Sequence, residues 1–283
     1  MAATLSFIDH IKHLPSPSPV VTQINAVLSN ADASAGDIVG ALKLDPVLTG
    51  RVLRLANSAY IGIPRTIASL QNAVVLLGVK RIRSLVLSST LLSSICIRRG
   101  ASAFLHAFWR HSVTAALVAE SIARYLKRYE LLETEECFSS GILHDIGKLV
   151  IYEYDTARFV KAERASRNLK MPFFTAEESV NSHMAVGELL AQAWNFPPNL
   201  THAIALHHAP SECSDNRRLV AIIHCADIMV HIIGFQTITD EIPPQFDDIA
   251  LAQINLEPER LKSIANDTLR NEKEIETLIN FFS

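Results

Sequence analysis

The sequence predicts an all-α protein made of two packed helical lobes. Apolar residues recur at helical spacing along most of the chain, and no segment alternates long enough to require a strand. Glycine and proline lie mostly at the edges of these periodic segments, where helices begin or end. The chain has 283 residues, of which 49% are hydrophobic and 19% charged, so it can bury a sizeable core.

The predicted N-terminal lobe comprises residues 1–100. Three prolines within 15–19 should end its first helix, because proline removes a backbone donor and its ring clashes with the preceding turn. The predicted helices of this lobe are 1–13, 20–28, 38–44, 46–58, 67–77 and 82–97. Asp45 is placed to cap the helix that Pro46 begins. Gly100 marks the predicted boundary between the lobes.

The predicted C-terminal lobe comprises residues 101–283, including two helices at its end. Its helices are predicted at 104–126, 137–152, 158–166, 176–194, 199–208, 217–233, 248–254 and 258–281. Apolar positions share one face in 104–126, the segments 158–166, 248–254 and 258–281 are amphipathic, and 217–233 is long and apolar, which favours packing around a shared core. We therefore expect the C-terminal lobe to be a helical bundle.

Charge and cysteine content narrow the classes of protein that the chain can represent. A net charge of −3 gives no bulk attraction to nucleic acid or to an anionic membrane. The most apolar run, 82–97, contains Arg83 and five serines, so we expect a buried helix there and no membrane span. The four cysteines form no C-x-x-C pair, and the N-terminus does not resemble a signal peptide. We expect a reduced, cytoplasmic protein.

The pair His144-Asp145 lies in an apolar segment, 139–150, that we predict to be a buried helix. Lys148 follows one turn later on the same face. Burying an ionisable pair is unfavourable unless something compensates its charge. A bound metal ion would provide that compensation.

Further histidine and aspartate residues lie on other predicted apolar helices, namely His111, His183, His207, His208 and Asp227. Each alone has a structural interpretation. A single histidine on an apolar face is usually a hydrogen-bonded core residue, and a histidine pair near a helix end can act as a cap. Asp227 could instead pair with His224 or His231, each about one turn away on its own helix.

Together these side chains predict a metal site. Imidazole and carboxylate donors without thiolate suit Fe, Mn, Zn or Ni, and their number exceeds what one tetrahedral ion needs. A two-ion site would give the first ion His111, His144, Asp145 and Asp227, and the second ion Asp145, His183, His207 and His208. Lys148 would direct its charge at an anion such as phosphate. Paired metals suit phosphate-ester hydrolysis, with His144, Asp145 and Lys148 as the predicted catalytic residues.

The series His111, His144-Asp145 and Asp227 resembles the HD superfamily of metal-dependent phosphohydrolases. With His183 and the pair His207-His208, it is similar to the binuclear branch that includes the HD-GYP cyclic-dinucleotide phosphodiesterases. The resemblance implies one or two divalent transition-metal ions as cofactors. It also implies that the C-terminal lobe is an HD-type helical bundle.

A longer set of motifs resembles the HDOD domain, over about residues 14–210. The motifs are Leu14 to Val21, Leu44 to Leu48, Arg54 to Tyr60, Leu76 to Val79 with Ser88, Trp109 to Ser112, Gly141 to Lys148 and Trp194 to Pro197. The resemblance implies an all-helical bacterial protein associated with signal transduction and regulation. In this family enzymatic activity is generally unproven, and many members have lost part of the metal set.

Two departures from the HD-GYP pattern restrict the expected chemistry. No Gly-Tyr-Pro loop follows His208, since the chain continues with Ala209-Pro210, and this disfavours cyclic di-GMP as substrate. Some HD-GYP sites also use a glutamate one turn before the first histidine to hold a third metal. That position is Ala107 here, so three ions are not expected.

Three functional hypotheses follow. The first is a signalling module that binds a partner protein or a small phosphorylated ligand, with the segment 57–60 outside the metal set as its most family-specific feature. That segment can also be a helix-ending cap. The second hypothesis is an active phosphohydrolase acting on a phosphate ester or nucleotide. The third, nucleic-acid binding through 80–83 and Arg98-Arg99, is disfavoured because these few cations can be solvated helix ends on an acidic chain.

Overall fold

The fold of this chain, given by a computed structural model, is helical throughout its described parts. The structure describes residues 23, 24, 26, 27, 30, 32–58, 61, 66–93, 102–126, 134–177, 181–194, 196–238, 241–270 and 272–282. All regular structure within these ranges is helix, which confirms the predicted all-α class. No helix in them is both long and apolar enough to cross a membrane. The predicted helix 1–13, the prolines at 15–19 and the boundary at Gly100 lie outside the described residues.

The described chain forms two compact units. The first unit contains the described residues of 23–93 together with 272–282, and the second unit contains those of 102–270. The predicted division at residue 100 assigned everything after it to the C-terminal lobe. The structure differs for 272–282, because this helix buries its apolar residues against the helix Pro46–Ala56 of the first unit. The division at residue 100 itself stays a prediction.

The first unit contains helices of 8 to 15 residues. They are α1 (Ala35–Leu42), α2 (Pro46–Ala56), α3 (Leu70–Leu77), α4 (Val79–Ser93) and α15 (Glu272–Phe282). Asp45 caps α2 as predicted, since its Oδ1 accepts hydrogen bonds from the N–H groups of Val47 (2.8 Å) and Leu48 (3.1 Å). The Asn57 side chain ends the same helix and holds Ile67 with bonds in both directions, at 2.6 and 2.7 Å.

The second unit is a bundle of helices of 4 to 25 residues. They are α5 (Ser102–Leu126), α6 (Thr134–Leu143), α7 (Ile146–Tyr154), α8 (Thr156–Leu169), α9 (Phe173–Ala176), α10 (His183–Ala193), α11 (Pro198–Leu206), α12 (Arg217–Ile232), α13 (Asp248–Ile254) and α14 (Pro258–Leu269), with a 3₁₀ turn at Pro210–Glu212. The core lies where α5 packs against α6 and α12. Val118 and Ile122 of α5 meet Ile222 and Val230 of α12 there, all fully buried.

Two predicted helices are interrupted at functional candidates. The helix predicted over 137–152 is instead α6 and α7, with His144 and Asp145 in the turn between them. The His144 imidazole bonds the Gly141 carbonyl, an acceptor that a continued helix would use, at 2.8 Å. His183 lies at the first position of α10 rather than in mid-helix, after the N-cap Ser182. Helix ends leave backbone groups free, and side chains at such ends can converge on a shared point.

Candidate metal centre

All seven predicted ligands meet inside the second unit. His111 comes from the middle of α5, His144 and Asp145 from the α6–α7 turn, His183 from the start of α10, His207 and His208 from the turn after α11, and Asp227 from α12. Each of these side chains is buried. Separate segments of the chain therefore contribute to one polar cluster in an apolar interior.

The first donor cluster consists of His111, His144, Asp227 and the Oδ2 atom of Asp145. His111 Nε2 lies 3.3 Å from His144 Nε2, 3.1 Å from Asp227 Oδ1 and 3.4 Å from Asp145 Oδ2. His144 Nε2 lies 3.6 Å from each of the same two carboxylate oxygens. Four potential donor atoms thus surround one point.

The second donor cluster consists of His183, His207, His208 and the Oδ1 atom of Asp145. His183 Nε2 lies 3.2 Å from His207 Nε2 and 3.3 Å from Asp145 Oδ1, and His207 Nε2 lies 3.6 Å from that oxygen. His208 stands beside them with its ring stacked on Phe174 at 4.2 Å between centroids. Asp145 presents one carboxylate oxygen to each cluster.

Protein acceptors fix the orientation of four of the five histidines. The Nδ1 atoms face Phe235 O for His111 (3.0 Å), Gly141 O for His144 (2.8 Å), Glu177 Oε2 for His183 (2.5 Å) and Ile204 O for His207 (2.9 Å). Carbonyl and carboxylate oxygens only accept hydrogen bonds, so each Nδ1 carries the proton. In a neutral imidazole, the Nε2 lone pair then points into the cluster. This is the arrangement by which proteins orient histidine ligands on a metal.

The donor separations fit a bound transition metal. Ligands at about 2.0–2.2 Å from a tetrahedral or octahedral ion lie roughly 3.0–3.5 Å from one another. The first donor cluster has separations of 3.1–3.6 Å. Within the described residues, Asp145 Oδ1 and both oxygens of Asp227 are buried without a hydrogen-bond donor. Facing lone pairs and bare carboxylates repel unless a cation lies between them, so the donor set suits a metal ion.

The charge of Asp145 is stabilised by its surroundings. Burial by itself raises the pKa of this carboxyl group, but Lys148 and His144 outweigh burial and hold the pKa well below its usual range. Lys148 Nζ donates to Asp145 Oδ2 at 2.7 Å, and the Asp145 charge raises the lysine pKa despite complete burial. Lys148, which we predicted to face a phosphate, therefore forms an ion pair with Asp145, the carboxylate that both donor clusters share.

Burial keeps several cluster histidines neutral, which is the form that binds metals. It lowers the pKa of His207 to about 4 and the pKa of His208 well below its usual range. The pKa of His111 is also lowered, chiefly by burial. For His144, burial is outweighed by the charges of Asp145 and Asp227, and the pKa rises.

Two glycines allow the helices to approach closely enough to form the centre. A Cβ atom on Gly147 would lie 1.9 Å from the carbonyl oxygen of His183, so α7 and α10 could not pack as they do. A Cβ atom on Gly141 would lie 2.5 Å from Ala116 Cα on α5. Both contacts lie next to proposed ligands, and side chains at these positions would push the donor segments apart.

Three residues outside the predicted set support the site. His231 Nε2 lies 3.2 Å from Asp227 Oδ1, whereas His224 turns away and bonds the His207 carbonyl at 2.7 Å. Of the two partners considered for Asp227, the structure therefore places His231 beside it. Glu177 and Glu241 stand behind His183 and His231. Helical spacing indicated His231, but no local pattern indicated the glutamates, because they lie on irregular segments.

The fold and the site together define an all-helical protein with a buried cluster of histidine and aspartate donors. The chain belongs to the HDOD domain family, whose family model matches residues 14–210. This confirms both the resemblance and its predicted extent.

Solved structures and a curated relative are similar to the chain. A candidate phosphohydrolase from Shewanella amazonensis SB2B is 27% identical, with a TM-score of 0.76 over 100% of this chain and 98% of that one. An HDOD domain protein of unknown function from Geobacter sulfurreducens is 22% identical, with a TM-score of 0.73 over 99% and 98%. An uncharacterized protein from Treponema pallidum (strain Nichols) is 23% identical over 244 residues, 84% of this chain and 46% of the relative. The chain spans less than half the length of the curated relatives that it matches.

Proposed function

We propose that this protein is an HD-type metal-binding module whose centre holds two divalent transition-metal ions. The observation that carries the proposal is the convergence, in a buried space, of oriented Nε2 atoms and carboxylate oxygens that no described donor satisfies. Asp145 would contribute to both ions, since its two oxygens face different donor clusters. Imidazole and carboxylate donors favour Fe, Mn, Zn or Ni over Mg or Ca.

The metal centre serves a regulatory role in bacterial signal transduction. Its donors come from segments throughout the second unit, so bound ions stabilise the folded arrangement of those segments. The donors are buried, and a substrate would reach them only after local opening. These two features favour a centre that fixes a surface for a partner protein or a small phosphorylated ligand over one that turns over substrate rapidly.

Phosphate-ester hydrolysis is the second candidate function. It is supported by the donor set and by similarity along the whole chain to the candidate phosphohydrolase of 27% identity. Bound ions of this kind supply Lewis-acid chemistry for phosphoryl transfer. Lys148 would break its ion pair with Asp145 and place its ammonium group on the phosphate. His144 and Asp145 would hold the ions.

Elemental analysis of protein purified without chelator tests the metal proposal. We expect two metal equivalents in the native protein and close to none in Asp145→Ala, because both donor clusters lose their shared carboxylate. His111→Ala should lose mainly the ion of the first donor cluster. His202→Ala is the matched control, since His202 lies on α11 and its side chain bonds Asn216 instead of the cluster. Equal metal content in native protein and Asp145→Ala would contradict the proposal.

A substrate screen separates the two roles. Native protein loaded with Mn or Fe would be assayed on phosphomonoesters, nucleotides and cyclic dinucleotides, beside His144→Ala with the same metal added. Under the regulatory proposal, no substrate turns over faster with native protein than with the variant. Faster turnover by the native protein would establish hydrolysis as the activity of the centre.

A further inference from the structure

A pocket with a volume of about 200 Å³ lies in the first unit, between α2 and α15. It is lined by Arg51, Arg54, Leu55, Ser58, Thr277, Asn280 and Phe281. None of these residues belongs to the metal centre. One lining residue, Ser58, belongs to the segment 57–60 that the sequence singled out and that a metal site does not explain.

Two guanidinium groups give the pocket its charge. Arg51 and Arg54 lie one turn apart on α2, and none of the described carboxylates forms an ion pair with either of them. Arg51 is half-buried, and its Nη1 donates to Ser89 Oγ of α4 at 2.9 Å, which fixes its direction. Burial and the neighbouring Arg54 charge lower the Arg51 pKa, while Asp45 opposes them. Asp45 is held in place as the cap of α2 and forms no ion pair with either arginine, and Ser89 holds the Arg51 guanidinium at the pocket.

The remaining lining residues are polar on one side and apolar on the other. Ser58 Oγ is buried without a hydrogen-bond partner among the described residues, so a ligand atom there would satisfy it. The Thr277 hydroxyl donates to Lys273 O at 2.6 Å and keeps its lone pairs free to accept. Leu55 and Phe281 are buried and form an apolar wall. This lining suits an anionic group joined to a small organic part.

We propose that this pocket binds a small soluble phosphomonoester, such as a sugar phosphate. Planar guanidinium groups hydrogen-bond phosphate oxygens in pairs, and two of them neutralise a dianion better than one. A volume of about 200 Å³ is below the roughly 300–1,000 Å³ typical of drug-sized ligands, and it accommodates a phosphate with a short carbon chain or sugar. The site is independent of the proposed metal centre.

Isothermal titration calorimetry with ribose 5-phosphate at fixed ionic strength tests the proposal. We expect saturable binding to the native protein and none with ribose. Arg54→Gln should weaken binding about tenfold or more, since a charge-assisted hydrogen bond is lost. Arg54 is exposed, so this variant should fold normally. Arg164→Gln removes an equal charge from an exposed position on α8 in the second unit and should change the affinity less than twofold.

Three outcomes would overturn the proposal. The first is equal weakening by Arg54→Gln and Arg164→Gln, which would indicate bulk charge alone. The second is loss of binding in Asp145→Ala and in native protein dialysed against EDTA, which would place the phosphate at the metal centre. The third is binding to phosphatidic acid vesicles that depends on Arg54 when ribose 5-phosphate does not bind, because the ligand would then be a lipid headgroup.

Discussion

At the scale of single residues, Asp145 links the two donor clusters. Its Oδ2 atom faces His111 at 3.4 Å and its Oδ1 atom faces His183 at 3.3 Å, while Lys148 occupies the Oδ2 side at 2.7 Å. A buried carboxylate with several cationic or imidazole neighbours stays ionised. The aspartate is therefore ready to bind metal without first losing a proton.

The Lys148–Asp145 pair yields a stability prediction. Lys148→Met keeps most of the side-chain volume but leaves the Asp145 charge buried and less compensated. In metal-free protein this should lower the free energy of unfolding by about 3–5 kcal/mol, as when one partner of a buried ion pair is removed. Urea denaturation measures the change. The exposed Lys262→Met is the control, and its effect should stay within about 0.5 kcal/mol. Equal effects of the two substitutions would contradict the structural role of the pair.

Two cysteines should be chemically inert in the folded protein. Burial raises the pKa of Cys137 and of Cys225 to about 12, so at pH 8 only about one thiol in ten thousand is ionised. We expect iodoacetamide to leave both unmodified in native protein and to label both in denaturant, as followed by peptide mass spectrometry. Rapid labelling of either thiol without unfolding would show that its helix opens locally.

At the scale of elements, the break between α6 and α7 creates the site. A continuous helix through 137–152 would point the adjacent side chains of His144 and Asp145 in different directions. The turn instead directs both into the space between α5, α10 and α12. The helices around this turn approach closely because Gly141 and Gly147 lack side chains. Packing at the two glycines and the geometry of the donors are therefore coupled.

Gly147→Ala tests this coupling. The added methyl group would overlap the carbonyl of His183 and force α7 and α10 apart, so we expect a loss of at least about 3 kcal/mol in unfolding free energy and a loss of metal from the second donor cluster. Denaturation curves and elemental analysis measure the two effects. Gly40→Ala is the matched control, because its Cβ atom meets nothing within 4 Å inside α1. That variant should gain about 0.5–1 kcal/mol. Normal stability and metal content in Gly147→Ala would refute the coupling.

At the scale of the whole molecule, the two proposed functions, metal binding and phosphomonoester binding, belong to different units. The donor clusters lie entirely in the second unit. The pocket that Arg51 and Arg54 line lies entirely in the first unit. The last helix, α15, supplies one wall of that pocket. Each unit therefore has its own candidate site, built from its own residues.

Metal removal should affect the units differently. An ion that binds only the folded state stabilises it by about 2.7 kcal/mol at a concentration one hundred times its Kd. We expect chelation to increase hydrogen exchange in segments around His111, Asp145 and Asp227 while leaving 35–93 unchanged. Hydrogen–deuterium exchange with mass spectrometry, with and without EDTA, measures this, and Asp145→Ala should show no response to EDTA. An equal increase in both units would contradict a metal site confined to the second unit.

Local sequence patterns determined most of the helices. Asp45 and Pro46 predicted the start of α2, and the apolar periodicity of 217–233 predicted α12, because capping and helical spacing act between near neighbours in the chain. The same patterns did not predict the turn at His144, the late start of α10 at His183, or the division of 258–281 into α14 and α15. These depend on contacts with distant segments, such as Gly147 against His183.

The sequence alone determined the fold class, the family and which side chains could bind a metal, since residue type, spacing and local motifs specify these. Only the tertiary structure decided how those side chains meet. It placed His231 and not His224 beside Asp227, and it divided the donors between the two oxygens of Asp145. For His111 it also decided which imidazole nitrogen faces inward, because the acceptor of its Nδ1 proton, the carbonyl of Phe235, is remote in the chain. These choices follow from the packing of remote helices, which no local pattern encodes.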